Sequence, residues 1–408
     1  MKTYVLGAGT SATAKYPLGG QLLASIDRFV RGLERHGTSN HVKDWSRFCT
    51  WSERNRNPLI AEAYRSGNLE QLFTVLDFAS KLRHANLDAI WGNKDIPNTE
   101  GQVTLVARLN EWIRKWLNGG SALEQVHLRF EKKVERYLHY QKMLLWALEV
   151  YFQHRHESDL KSYHQEHWKD LRTFARKLCK GDVVITFNYD STLERVLLEE
   201  KKWTPKDGYG FELVFQRSSS DERREEIDSS EVTVLHLHGA IGWYRKPTFK
   251  EGYIPPDPGG AISREVLTPA PIETGIALDP LFLKQLKLSY VDASLPTSPT
   301  DQYQILIHPS FLKDYELEQD SNVFIKLWKK AADALRVAEE ISIIGYSLPQ
   351  EDSAALTLLL GNTTSDRVKI VNSNRATNHR LEGLLSFRRF LDGRSFEDWL
   401  QTLPDCTK

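Results

Sequence analysis

Val183-Val184-Ile185-Thr186-Phe187-Asn188-Tyr189-Asp190 decides the fold. The first five residues favour β structure and are apolar on both faces, as a strand buried inside a parallel sheet must be. Asn188-Tyr189-Asp190 stops the run. Ser191-Thr192-Leu193-Glu194 then has the spacing of a capping box, opening a helix that runs through Leu197. Strand, polar stop and helix make half of a βαβ unit, and the pattern recurs in both directions. Upstream, Thr3–Leu6 ends in Gly7-Ala8-Gly9-Thr10-Ser11-Ala12. Downstream, Val232–Leu237 ends in His238-Gly239, Ile341–Ile344 in Gly345-Tyr346-Ser347, and Val368–Val371 in Asn372-Ser373-Asn374. Phe211–Phe215 and Gln304–Ile307 read as further strands, the latter buried. A helix bearing Phe324, Leu327, Trp328, Ala331 and Leu335 precedes Ile341. Strands alternating with helices predict an α/β fold, a Rossmann-like doubly wound parallel sheet.

A large helical insertion interrupts that sheet. Leu69, Leu72, Phe73 and Leu76 recur at helical spacing behind an Asn68/Gln71 capping box, and Val103–Leu117 and Val126–Leu148 repeat the period. The domain plan is therefore a discontinuous nucleotide-binding domain, 1–20 plus 180–375, a helical module over 21–179, and a helical tail over 376–408. Seven of the eleven tryptophans lie between Trp45 and Trp168, where helix–helix packing accounts for them. Arg217–Ser230 is polar and charged and reads as a solvated loop. Nine of the sixteen prolines fall in 247–299, a density that excludes regular helix or central strand and suggests a lid or interface arm.

The 54 basic residues balance the 54 acidic ones across 408 residues. Zero net charge argues against a protein that binds chiefly nucleic acid or an anionic membrane. The three cysteines, Cys49, Cys179 and Cys406, are far apart. They make neither a disulfide scaffold nor a four-cysteine zinc site, and they suit a reducing cytoplasm. No signal peptide, membrane span or metal site is expected.

Every polar cluster follows a strand, and in an open parallel sheet ligands bind beyond the carboxyl ends of the strands. Five such loops would meet at one crevice. Gly7-Ala8-Gly9-Thr10-Ser11-Ala12 matches G-x-G-x-x-A, whose glycines let a backbone approach a pyrophosphate. The acidic residue that should end a second strand about 20 residues later is missing. Asp27 has the spacing but sits in a helical pattern, which disfavours a dehydrogenase. His236 and His238 alternate along their strand and so should share a face. Asp190 is either a helix cap or a ribose or nicotinamide contact, and Asp352 reads as the cap of a helix starting at Ser353. His308 has no assigned role.

GAGTS, TFNYD, LHG, GYSLPQED and VNSN, in this order, resemble the sirtuin-like NAD-binding proteins, and among them the bacterial sirtuin-like NAD⁺ hydrolases of anti-phage defence. The resemblance covers residues 1–20 and about 180–375. The chain departs from protein-deacylating sirtuins in two ways: it cannot build their four-cysteine zinc ribbon, and AKYPLGGQ stands where they carry a D-F-R-type motif. The resemblance implies hydrolysis of NAD⁺ as substrate, without a metal, with Asn188 and His238 catalytic. Breaking the nicotinamide–ribose bond passes through an oxocarbenium-like state, which needs a positioned water and a base. Asn188 can orient the water or the ribose, and His238 can accept the proton. Gly7, Ala8, Gly9, Thr10, Ser11, Tyr189, Asp190, Gly345, Tyr346, Ser347, Asn372 and Asn374 would bind the dinucleotide, with Ser347 and Asn372 on phosphate and adenosine ribose. His236 is expected to be structural. The relatives also imply a toxic effector controlled by homo-oligomerisation or by a partner such as a hexameric ATPase ring. Two alternatives stay open: a non-catalytic NAD or ADP-ribose sensor, and an NAD-dependent deacylase or ADP-ribosyltransferase.

Overall fold

A computed structural model describes residues 1–33, 40–55, 58–81, 136–137, 139–148, 150–152, 154–155, 168–211, 216–217, 229–245, 276–278, 290–291, 304–306, 321–348, 352–364, 366–374, 377–379, 381 and 391–406. The strands, in chain order, are β1 (Lys2–Leu6), β2 (Val183–Thr186), β3 (Gln216–Arg217), β4 (Thr233–His236), β5 (Gly239–Arg245) and β6 (Ile276–Leu278). They continue with β7 (Tyr290–Val291), β8 (Gln304–Leu306), β9 (Glu340–Ile344), β10 (Val368–Val371) and β11 (Leu391–Asp392). Six of them form one sheet in the order β11-β10-β9-β1-β2-β4, and every pair is parallel. The parallel α/β expectation is met.

Register explains why the apolar runs sit where they do. Val5 pairs with Ile185 on one side and Ile343 on the other, Ile185 pairs with Leu235, and Ile343 with Ile370. This row crosses five strands, and none of its side chains is more than 1% exposed. Burying aliphatic side chains of this kind contributes about 1.5–3 kcal/mol each. Helices cover both faces. Tyr4 meets Phe174 of the helix Lys169–Lys177 edge-on at 5.2 Å, with Trp399 of the helix Phe396–Leu400 at 6.4 Å. Its neighbour Thr3 points the other way and donates from Oγ1 to the Ala334 carbonyl (3.3 Å) in the helix Ser321–Val337. That helix buries Phe324, Leu327, Ala331 and Leu335, as its spacing predicts.

Several details differ from expectation. β8 is not in the parallel sheet; with β6 it flanks β5 in a separate antiparallel sheet. β6 and β7 are short strands inside the proline-rich stretch, and β7 pairs with β3. The tail is not simply helical, because Leu391–Asp392 adds a sixth parallel strand before the Phe396–Leu400 turn of helix. The helix Lys169–Lys177, expected in the helical module, packs against the sheet. Cys179 and Cys406 form a disulfide (Cα–Cα 5.5 Å), which the sequence spacing did not suggest, and Lys177 Nζ donates to the Leu403 carbonyl (2.5 Å) beside it. Cys49 is free and buried, and burial pushes its thiol up to about 12.

The chain forms two compact units, residues 1–18 with 152–308 and 314–408, and residues 19–151 with 309–313. The second contains the helices Gly19–Leu33, Asn40–Glu53, Pro58–Arg65 and Leu69–Lys81. Asn68 Oδ1 accepts from the Gln71 amide (2.9 Å), which is the N-cap half of the box its sequence predicts, while the Asn68 amide donates to the Ala63 carbonyl (3.0 Å). Trp45 is fully buried and donates from its indole to Asp27 (3.0 Å), which also holds Arg31 (2.9 Å). Asp27 is thus part of a helix contact. The Val103–Leu117 helix, the start of the Val126 helix, Trp91, Trp112, Trp116, the strand Phe211–Phe215 beyond its first residue, most of the polar Arg217–Ser230 stretch, most of 247–299 and His308 lie outside the described residues. No helix among the described residues is long and apolar enough to cross a membrane.

Candidate active site

From β1 the chain fills one side of the sheet with β2 and β4, then returns to the other side with β9, β10 and β11. The order therefore reverses between β1 and β9, and such switch points open crevices at the carboxyl ends of strands. The two loops that leave there are Gly7-Ala8-Gly9 and Gly345-Tyr346-Ser347. Gly7 N–H donates to the Ile344 carbonyl (3.0 Å) and Gly9 N–H to that of Gly345 (2.9 Å). A Cβ on Gly7 would lie 2.4 Å from Tyr346 Cα, and one on Gly9 2.7 Å from Gly345 Cα. Gly345 itself has φ +59°, a left-handed conformation that favours glycine. These glycines are required because the two loops pack backbone to backbone. Approach to a pyrophosphate, the reason offered by the G-x-G-x-x-A pattern, is not needed to explain them.

The third loop, after β2, braces the first. Asn188 Nδ2 donates to the Gly7 carbonyl (3.1 Å) and to Ser11 Oγ (3.0 Å). Ser11 Oγ donates to Asp190 Oδ2 (2.7 Å), and Thr10 Oγ1 donates back to the Gly7 carbonyl (2.7 Å). The other Asp190 oxygen accepts from Thr192 Oγ1 (2.5 Å) and from the Thr192 amide (3.2 Å). Asp190 therefore joins the glycine loop to the start of the helix Thr192–Glu199. The expected Ser191–Glu194 capping box does not form: Ser191 is the N-cap, but its side chain accepts no cap bond.

Glu194 turns instead to His236. His236 Nε2 meets Glu194 Oε1 in a very short hydrogen bond, and Nδ1 lies 3.1 Å from the Asn188 carbonyl. Both side chains are 1% exposed. Burial alone would lower the His236 pKa. The Glu194 carboxylate, by its charge and its hydrogen bond, outweighs burial, and the Asn188 carbonyl and the Asp190 charge add to it. The pKa ends above its ordinary value of 6.5. Both ring nitrogens face acceptors, an arrangement that favours the doubly protonated imidazole. The adjoining cavity, lined by Thr186, Asn188, Asp190, Thr192, Glu194 and His236 among others, measures about 10 Å³, on the order of one water. Asn188 and Asp190 line it together with His236, so its size does not separate their roles; what sets His236 apart is that both of its ring nitrogens are bonded within the protein.

His238 has other neighbours, contrary to the shared face expected of it. β4 stops at His236, and Leu237-His238 is a turn into Gly239, whose φ is +79°. Strand alternation does not carry across that turn. His238 Nε2 lies 3.4 Å from Asp352 Oδ1. Phe187 meets its ring edge-on at 5.1 Å, and Tyr189 lies at 6.2 Å. Phe187 also stacks flat on Tyr346 (4.4 Å, 9°), and the Tyr346 hydroxyl donates to Asp352 Oδ2 in a very short hydrogen bond. The cap expected of Asp352 is absent, since its side chain makes no cap bond to the Ser353–Asn362 helix.

The structure thus brings Gly7, Gly9, Thr10, Ser11, Asn188, Tyr189, Asp190, His238, Gly345 and Tyr346 into one connected cluster. Ala8 and Ser347 are exposed on its loops. Asn372 and Asn374 stand one strand further along, where their side-chain carbonyls accept from the amides of Asn374 (2.9 Å) and Thr377 (3.2 Å) in their own turn. Glu194 and Asp352 were missed as site residues. Each had a signal, an acidic residue at the start of a helix, that capping explained too readily. Among the described residues no group of three or more histidine, cysteine or acidic side chains could hold a metal. No protein-family model matches the chain, and no curated protein matches it.

Proposed function

We propose that this cluster is the catalytic site of a sirtuin-like NAD⁺ glycohydrolase, which releases nicotinamide and ADP-ribose. The supporting observation is the assembly of the loops after β1, β2, β4 and β9 at the switch point, with an amide (Asn188) and an imidazole (His238) contributed by neighbouring strand ends. The bond from ribose C1′ to the nicotinamide nitrogen breaks, and the ring leaves as neutral nicotinamide. A water oxygen bonds to C1′, and its proton passes to His238. The Asn188 NH₂ fixes the glycine loop, and its side-chain carbonyl is left to accept from the water or a ribose hydroxyl. A positioned base contributes about 10²–10⁴-fold.

The test is release of nicotinamide from NAD⁺ by purified protein, followed by chromatography, alone and with the proteins encoded by neighbouring genes. Turnover is expected in at least one of these mixtures. Asn188→Ala and His238→Ala should each lower it by about 10²-fold or more with the fold retained. Binding of NAD⁺ or ADP-ribose without turnover in any mixture would convert the site into a sensor. Release only with an acylated peptide or an acceptor protein would make it a transferase.

A further inference from the structure

We propose that Asp352 is the positioning residue of His238: it accepts the Nε2 proton, fixes the tautomer and angle of the ring, and makes Nδ1 the atom that receives the proton from water. The kinetic part of this inference rests on the glycohydrolase reading, whereas the tautomer does not.

Three observations carry it. Asp352 is 1% exposed, although an acidic residue preceding a helix is ordinarily solvated. Burying a carboxylate is costly unless donors or a cation meet it. Here the Tyr346 hydroxyl donates to Oδ2, and His238 Nε2 stands 3.4 Å from Oδ1 in an ion-pair contact looser than a hydrogen bond, of the kind that tightens when substrate binds. Second, the carboxylate is held in place from the switch point itself. Tyr346 packs against Gly7 with no room for a Cβ, and Phe187 stacks on its ring while touching His238. Third, Asp352 does not cap its helix, so capping gives no reason for its position. In a neutral imidazole the partner of one nitrogen decides which nitrogen keeps the proton. During attack, the water's proton moves to Nδ1, the Nε2 proton stays shared with Asp352, and the carboxylate offsets the new imidazolium charge.

The experiment uses the full chain labelled with ¹⁵N-histidine. The His238 ring signals, assigned by their loss in His238→Gln, should show the Nε2–H tautomer in the wild type. Asp352→Ala should abolish that preference and lower kcat by at least about tenfold, with KM changed less than about twofold. Asp352→Glu should restore part of both. Tyr346→Phe, which keeps the ring stack, should shift the tautomer in the same direction by less, and it decides the matter if Asp352→Ala does not fold. An Nδ1–H tautomer in the wild type, or an unchanged tautomer in both variants, would overturn the proposal. A tautomer lost in Asp352→Ala, in a wild type that never turns over NAD⁺, would uphold the positioning role and remove the glycohydrolase reading.

Discussion

Two histidines stand two residues apart, and each has found a carboxylate at the start of a helix, yet the two pairs are built differently. His236 closes β4, is bonded at both nitrogens, and ties Glu194 to the Asn188 carbonyl. It is a strut beneath the Asn188-Tyr189-Asp190 turn, beside a cavity with room for about one water. His238 lies beyond the end of the strand, in a turn, with Asp352 at one nitrogen and the rings of Phe187 and Tyr189 around it. The difference teaches that residue type and spacing do not assign a role. What the ring nitrogens face does.

The comparison breaks most visibly in stability. His236→Ala leaves Glu194 as a buried carboxylate without its cation and should cost about 3–5 kcal/mol, measured by denaturant unfolding. His238→Ala should cost clearly less, because Asp352 keeps the Tyr346 hydroxyl, while losing far more turnover than stability accounts for. Equal stability losses would erase the distinction drawn here.

Loop packing should give the next largest effect. Ala at Gly345 meets both a left-handed φ and the Thr10 amide nitrogen at 2.8 Å, whereas Ala at Gly181 has φ +89° but nothing within 4 Å. Gly345→Ala should therefore destabilise by more than the about 1 kcal/mol expected of Gly181→Ala, by the same unfolding measurement.

Next comes pH. His236 has a folded pKa above the ordinary 6.5, so the folded state binds the proton more tightly than the unfolded chain. Its stabilising contribution is complete below about 6.5 and fades as pH rises through the raised folded value. Unfolding free energy should fall over that upper window in the wild type, and the fall should flatten in His236→Gln. An unchanged slope would show that the pair is not held as imidazolium and carboxylate.

The smallest effect concerns the caps. Ser191→Ala should change stability by less than about 0.5 kcal/mol, since its side chain makes no cap bond. Ser395→Ala should cost about 1 kcal/mol, because Ser395 Oγ accepts from the Asp398 amide (3.1 Å). Comparable losses at both serines would restore the capping box at Ser191.

Much of the sheet was legible because fully buried strands leave a local mark. The apolar runs around Val5, Ile185 and Ile343 had to be hydrophobic on both faces, the run around Ile370 leaves only Lys369 exposed, and the four fall in one register row. The antiparallel placement of β8 and the short β11 left no such mark, since two- or three-residue strands show little periodicity. In the site, the loops after β1, β2, β4 and β9 were legible as polar stops following strands. The two carboxylates were not. Glu194 and Asp352 each sat where a cap satisfies local rules, and their true partners lie 42 and 114 residues away in sequence, at His236 and His238.

By itself the sequence determined the strand-and-helix alternation and the rim on which the polar loops gather, because burial and strand termination are set by neighbours a few residues apart. Only the tertiary structure decided which histidine took which carboxylate, why Gly7, Gly9 and Gly345 are glycines, and that Cys179 meets Cys406. Those outcomes depend on strand order and register, which bring together groups that no local pattern couples.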